Sequence, residues 1–179
     1  MLASVAGEKN VRLWRVSDGE LLHTLDGHTE PATSVAFSPD GSMLLTGSQD
    51  KTVKLWDVVN GTLLRTLAGH EHAVTSVAFS PDGTIFASGS MDKTVRLWRA
   101  SDGTLLHTLN GHTGGVQCVA FTPDGDRLIS GSRDRTLRLW RMPEGELLRV
   151  LEGHKDEVAS ISVAPDGDVL AVREGHPQH

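Results

Sequence analysis

The chain has 179 residues, 38% hydrophobic and 22% charged, a composition that predicts one folded domain and not a disordered segment. Seventeen Lys and Arg against 23 Asp and Glu leave a net charge of −6, which argues against a nucleic-acid binder. A single cysteine, Cys118, excludes an internal disulfide framework and a multi-cysteine metal site, and no apolar run reaches the roughly 18 residues of a membrane span.

A period of 42 residues runs through the chain. Tryptophan occurs only as Trp14, Trp56, Trp98 and Trp140, Gly-His pairs end at His28, His70, His112 and His154, and Pro-Asp-Gly begins at Pro39, Pro81, Pro123 and Pro165. Gly27–Ala68 and Gly69–Asn110 align without gaps at 25 identities in 42 positions. Such self-similarity marks a tandem array of one structural unit.

In chain order, Met1 aligns with Met43, so residues 1–25 predict the last three strands of a unit, with Ser4 and Trp14 in register and Glu8 where later units have Asp. Three full units follow, at about residues 28–67, 70–109 and 112–151. In the second of these, AVTSVAF, TIFASGS, TVRLWRA and TLLHTL read as four short strands, β-branched and partly alternating, with no helical segment between them. Ser80-Pro81-Asp82-Gly83 supplies the tight turn between the first two strands; Thr122 and Ala164 replace its serine elsewhere. Residues 154–172 supply two more strands, and residues 173–179 read as an irregular tail. There Val172 and His176 stand where the other units have Ser or Thr and Asp.

A four-stranded sheet of this size cannot bury both faces by itself, so neighbouring units must stack face to face. The Gly-His pairs, the Ser-Gly-Ser-x-Asp-x-Thr-Val-x-Leu-Trp run and the period make the chain resemble the WD40 (WD-repeat) family over essentially residues 1–170. The resemblance implies an all-β propeller segment of four-stranded antiparallel blades, three complete and one partial at each end. The Trp-Asp dipeptide itself stands only at Trp56-Asp57; Arg15, Arg99 and Arg141 follow the other tryptophans.

Recurring His, Ser or Thr, and Asp superficially suggest a hydrolytic triad, but an active site is needed once and not in every unit. The resemblance implies instead a buried hydrogen-bonded tetrad per blade: His28, Thr46, Asp50 and Trp56; His70, Ser88, Asp92 and Trp98; His112, Ser130, Asp134 and Trp140. Histidines one unit apart cannot converge on a metal, the tail pair His176 and His179 reads as a solvated end, and Cys118 aligns with Ser34, Ser76 and Ser160 as a small first-strand residue. No cofactor is expected.

Partner contacts implied by the family lie three and five residues after the Gly-His histidine and just before the turn Asp. Carried over, they are Pro31, Thr33 and Gln49; Ala73, Thr75 and Met91; Gly115, Gln117 and Arg133; and Glu157 and Ala159, with Met91 and Arg133 the foremost. The expected function is a non-catalytic scaffold for protein or peptide partners, without nucleic acid or membrane, in the cytoplasm. The alternative is a regulatory or sensor segment of a larger protein such as a kinase or protease. Three expectations cover the unfinished ends: a fragment of a larger propeller, a head-to-tail homodimer closing an eight-bladed ring, or a tight four-bladed ring joining His154 to Ser4, Glu8 and Trp14. Codons allowed for VREGHPQH, read one nucleotide later, can encode Ser-Gly-Lys-Asp-Thr-Leu, which resembles the missing turn and raises a frameshift as one origin of the tail.

Overall fold

Residues 1–5, 7–168 and 170–175 are described by the structure, a computed structural model. Among them there is no helix, and seventeen strands form five antiparallel sheets. The first sheet has three strands, β1 (Leu2–Ser4), β2 (Val11–Trp14) and β3 (Leu21–Leu25). Three four-stranded meanders follow: β4 (Ala32–Phe37), β5 (Met43–Ser48), β6 (Val53–Asp57) and β7 (Thr62–Leu67); β8 (Val74–Phe79), β9 (Ile85–Ser90), β10 (Val95–Arg99) and β11 (Leu105–Leu109); and β12 (Val116–Phe121), β13 (Arg127–Ser132), β14 (Leu137–Arg141) and β15 (Glu146–Leu151). The fifth sheet has two strands, β16 (Val158–Val163) and β17 (Leu170–Glu174), so the last strand runs two residues into the stretch read from sequence as an irregular tail.

The Pro-Asp-Gly turns form for a local reason. Asp40 accepts the Ser38 hydroxyl at 2.6 Å and the Ser42 amide at 3.0 Å, while Gly41 takes φ of 73°, a conformation that costs glycine little. The first-to-second-strand hairpin then closes with Ser38 N–H donating to Met43 O at 2.9 Å.

Apolar burial lies between sheets. Val11, Leu13 and Leu25 meet Ala32, Leu44 and Trp56 across the first seam, and Leu45, Val53 and Leu55 meet Val74, Val77, Phe86 and Trp98 across the second. Leu97 and Leu109 meet Val119 and Trp140 across the third, and Ile129 and Leu137 meet Val158 across the fourth. The central glycine of each Ser-Gly-Ser or Thr-Gly-Ser run allows this approach. A Cβ built on Gly47 or Gly89 would lie 2.7 Å from Val74 or Val116 Cγ1 of the next sheet, and one on Gly131 would strike Val158. In the fifth sheet this position is Arg173, which is exposed.

The first strands of the second to fifth sheets, β4, β8, β12 and β16, each carry a β-bulge, at Thr33, Thr75, Gln117 and Ala159. A bulge leaves a ladder group unpaired and re-aims a side chain. Thr33 Oγ1 donates to Gly47 O at 3.0 Å and to Val74 O of the next sheet at 2.6 Å, and Thr75 repeats the pattern with Gly89 O and Val116 O at 3.0 and 2.7 Å. Ser34 and Ser76 accept the amides of Val77 and Val119 across the same seams, both at 3.1 Å.

The five sheets stack as an unclosed arc, a propeller segment. This corrects the four-bladed closure: Trp14 donates to Ser4 within its own sheet at 2.9 Å, Glu8 pairs with Arg12 at 2.8 Å, and His154 finds its partner within the fifth sheet.

Candidate functional site

The polar network of each complete sheet is assembled from the loop before its first strand, its second strand, the following turn and its third strand. His70 Nδ1 lies 2.7 Å from Asp92 Oδ2 and its Nε2 lies 2.8 Å from Ser88 Oγ, to which Trp98 Nε1–H donates at 2.9 Å. The corresponding distances are 2.8, 2.7 and 2.9 Å for His28–Asp50, His28–Thr46 and Trp56–Thr46. For His112–Asp134, His112–Ser130 and Trp140–Ser130 they are 2.8, 2.8 and 2.9 Å.

The indole can only donate and the ionised carboxylate can only accept, so the shared hydroxyl accepts from Trp Nε1–H and His Nδ1–H donates to the aspartate. Burial is the main cause lowering the pKa of His28 and His112, opposed by the bonds from Asp50 and Asp134. For Asp92, burial pushes upward but is outweighed by hydrogen bonds from His70 and Thr94, so the carboxyl stays far below its ordinary range. Asp50 and Asp134 are lowered by the same balance, with threonine and histidine donors again overcoming burial. The aspartates also hold their own turns: Asp92 accepts Thr94 N and Oγ1 at 2.9 and 2.7 Å and Glu71 N at 3.0 Å. The next residue, Lys51, Lys93 or Arg135, sits at φ of 66–73°.

Chemically the arrangement is saturated. The hydroxyl that would be a nucleophile is fully buried and already bonded to both the imidazole and the indole. A serine activated for attack needs an open approach, which burial denies these hydroxyls.

The end sheets carry partial versions. Val172, in the hydroxyl position, offers His154 no acceptor, and His176 lies outside the described residues. The carboxylate is supplied instead by Glu174, two positions earlier, whose longer side chain brings Oε1 to 2.9 Å from His154 Nδ1. That pairing was missed from sequence because it is out of register with the other units. In the first sheet Trp14 and Ser4 meet, while Glu8 turns to Arg12.

The eleven residues singled out as partner contacts gather at the end of the sheets where the Gly-His loops lie. The backbone brings them into pairs, with Gln49 N–H donating to Pro31 O at 3.0 Å, Met91 to Ala73 O at 2.9 Å and Arg133 to Gly115 O at 2.9 Å. Their side chains divide by environment. Gln49 and Arg133 are exposed, Pro31, Ala73, Met91 and Ala159 are half-buried, and Gly115 is buried against Met91 of the preceding sheet. Thr33 and Thr75 are half-buried with their hydroxyls committed to the seams. Arg133 reaches across the fourth seam to Glu157 at 3.1 Å, and Gln117 contacts the same carboxylate at 3.5 Å.

Cys118 is buried, and burial pushes its thiol up to about 12. Among the described residues no three His, Cys, Asp or Glu side chains gather as a metal ion would require, and no helix is long and apolar enough to cross a membrane.

Comparison with known proteins agrees with this architecture. The WD domain, G-beta repeat family matches residues 19–57, 61–99, 103–141 and 145–172. Each match starts before the outermost strand of one sheet and continues into the next, so a sequence repeat straddles two sheets. F-box-like/WD repeat-containing protein TBL1X of Mus musculus is 58% identical over 41 residues, 23% of this chain and 8% of that protein. An uncharacterized WD repeat-containing protein of Synechocystis is 43% identical over 42 residues, 24% of this chain and 12% of its own. Nuclear distribution protein PAC1 of Coccidioides posadasii is 40% identical over 50 residues, 28% of this chain and 11% of its own. The chain therefore matches only a small part of the length of these relatives. With the period, the stacked four-stranded sheets and a family match over most of its residues, the chain belongs to the WD40 family of WD-repeat proteins.

Proposed function

We propose that the chain is a non-catalytic scaffold that presents its loops to protein or peptide partners. The tetrads hold each blade together, and Gln49, Met91 and Arg133 are the foremost contact residues on the Gly-His loop face. One observation carries this reading: near-identical hydrogen-bond networks recur in three sheets, whereas the residue before the turn Asp changes from Gln49 to Met91 to Arg133. A rigid frame with variable loop residues is the arrangement used for recognition. Thr33, Thr75 and Gly115 leave the contact set in this reading, because their environments bind them to neighbouring sheets.

The relatives, each much longer than the stretch they share with this chain, support a role within a larger protein, the F-box-like protein being one whose name joins a second element to its repeats. The test is affinity capture from cell extract on the 179-residue chain and on a Gln49→Ala/Met91→Ala/Arg133→Ala variant of unchanged melting temperature. Proteins retained by the first and lost from the second are the expected result. Identical retention would remove this face from the function.

A further inference from the structure

The opposite end of the sheets, where the Pro-Asp-Gly turns lie, differs in charge and in relief. Counting its connections with the strand residue on either side, it holds twelve carboxylates and four arginines, a net charge of −8 in a chain of −6. Three of the arginines are already paired, Arg15 with Asp18 at 3.0 Å, Arg99 with Asp102 at 2.9 Å and Arg141 with Glu146 at 2.7 Å. Among the described residues Asp126 and Glu144 have no ion-pair partner.

This end also holds a cavity of about 870 Å³, floored by Met43, Ile85, Ala100, Leu106 and Pro143 from three successive sheets. Beside it, a hydrogen bond found at two other seams is missing. On the outer strands His23 reaches Val59 O of the next sheet's loop at 3.0 Å, and Arg65 reaches Ser101 O at 3.2 Å. The third residue of this series is His107, which makes no side-chain hydrogen bond among the described residues, and the loop opposite it carries Pro143. The backbone still closes on the seam there, Gly145 lying against Leu109 and His107, but among the described residues no side-chain hydrogen bond ties His107 to that loop.

Through Thr84, Ile85 and Pro143 the basin continues into a second cavity of about 240 Å³ lined by Asp82, Asp124 and Asp126. One unit further along, the equivalent hollow has Arg127 in place of Ile85 and is lined by two arginines and two carboxylates, so its wall is charged where the basin's floor is apolar.

We infer that this basin is a docking site for an extended segment of a partner protein, an apolar side chain seated on Ile85 and Leu106 and a neighbouring Lys or Arg placed among Asp82, Asp124, Asp126 and Glu144. The apolar floor supplies burial, and the charge of the rim selects a cationic neighbour and disfavours an acidic one. The inference shares with the scaffold reading only the class of partner. It uses the other end of the molecule, so each fails separately.

The test is fluorescence anisotropy on the 179-residue chain with three fluorescein-labelled peptides: Gly-Lys-Arg-Leu-Lys-Gly, the same peptide with Ser for Leu, and Gly-Glu-Asp-Leu-Glu-Gly. The first binds, and the second binds at least about tenfold more weakly, as expected when a leucine leaves an apolar pocket. The third does not bind. Ile85→Arg abolishes binding of the first peptide, and Arg127, holding the same strand position in the next unit, shows that the register accommodates arginine. Should that variant fail to fold, Asp126→Asn/Glu144→Gln, both on the exposed rim, weakens binding at least about threefold. Arg133→Ala changes nothing. Equal binding of the leucine and serine peptides, no binding of the first, or undiminished binding by a folded basin or rim variant overturns the inference.

Discussion

Asp92→Ala strips the third sheet of an acceptor that serves four donors: His70 Nδ1 at 2.7 Å, Thr94 Oγ1 at 2.7 Å, Thr94 N at 2.9 Å and Glu71 N at 3.0 Å. The loss is unequal. Glu71 is exposed and Thr94 only half-buried, so water replaces much of what they lose. His70 has a side chain 1% exposed, and its N–H is left without a partner. An orphaned buried donor costs about 1–3 kcal/mol, and the weakened turn adds about 1 kcal/mol, for a total of about 2–4 kcal/mol. In a chain of this length that lowers the melting temperature by about 4–16 °C. Thermal unfolding followed by tryptophan fluorescence at neutral pH measures it, because Trp98 ends the same network. Asp92→Asn keeps an acceptor for the turn and falls between wild type and Asp92→Ala. A loss under about 0.5 kcal/mol, the range of ordinary surface substitutions, would refute a structural role for the carboxylate.

Three further outcomes are expected. Because burial lowers the pKa of His28 and His112 from 6.5, the unfolded chain binds protons that the folded chain refuses, and stability falls as pH drops below about 6.5. The contribution of Asp50, Asp92 and Asp134 is present above their ordinary 3.8 and is lost as pH falls through their lower folded values; a melting temperature that rises between pH 7 and pH 5 would contradict the histidine part. Gly89→Ala places a Cβ 2.7 Å from Val116 Cγ1 and 3.1 Å from Val119 Cγ1 and costs about 1–3 kcal/mol in denaturant unfolding; adding Val116→Ala recovers part of that cost, and strict additivity would show that the seam is not the cause. Cys118, buried with its thiol pushed up to about 12, does not react with Ellman's reagent until the chain unfolds, and stoichiometric reaction of the folded chain at neutral pH would contradict its burial.

What was legible in the sequence followed from repetition. His, hydroxyl, Asp and Trp recur at fixed separations, so one unit read correctly places the same four groups in three sheets. Thr33 and Thr75 were opaque because a one-residue bulge redirects a side chain, and a period of 42 shows neither the bulge nor the neighbouring carbonyl it meets. Glu174 was missed because reach compensated for position. The basin was hidden for a third reason: Met43, Ile85 and Pro143 are far apart along the chain and become neighbours only when three sheets stack, and His107, the same residue type as His23, gives no sign in sequence that it lacks the hydrogen bond His23 makes.

The glycine seams bear on how the molecule comes apart. Gly47, Gly89 and Gly131 couple successive sheets through near-identical contacts, the arrangement of a one-dimensional chain of nearest-neighbour couplings. Opening free energy then depends on how many seams a sheet shares. Amide exchange should be slowest in β8–β11, which is held on both sides by complete sheets, and fastest in β16–β17, which is held on one side only. A single Gly→Ala seam variant should divide this gradient at the substituted interface, so that the array melts as two shorter arrays.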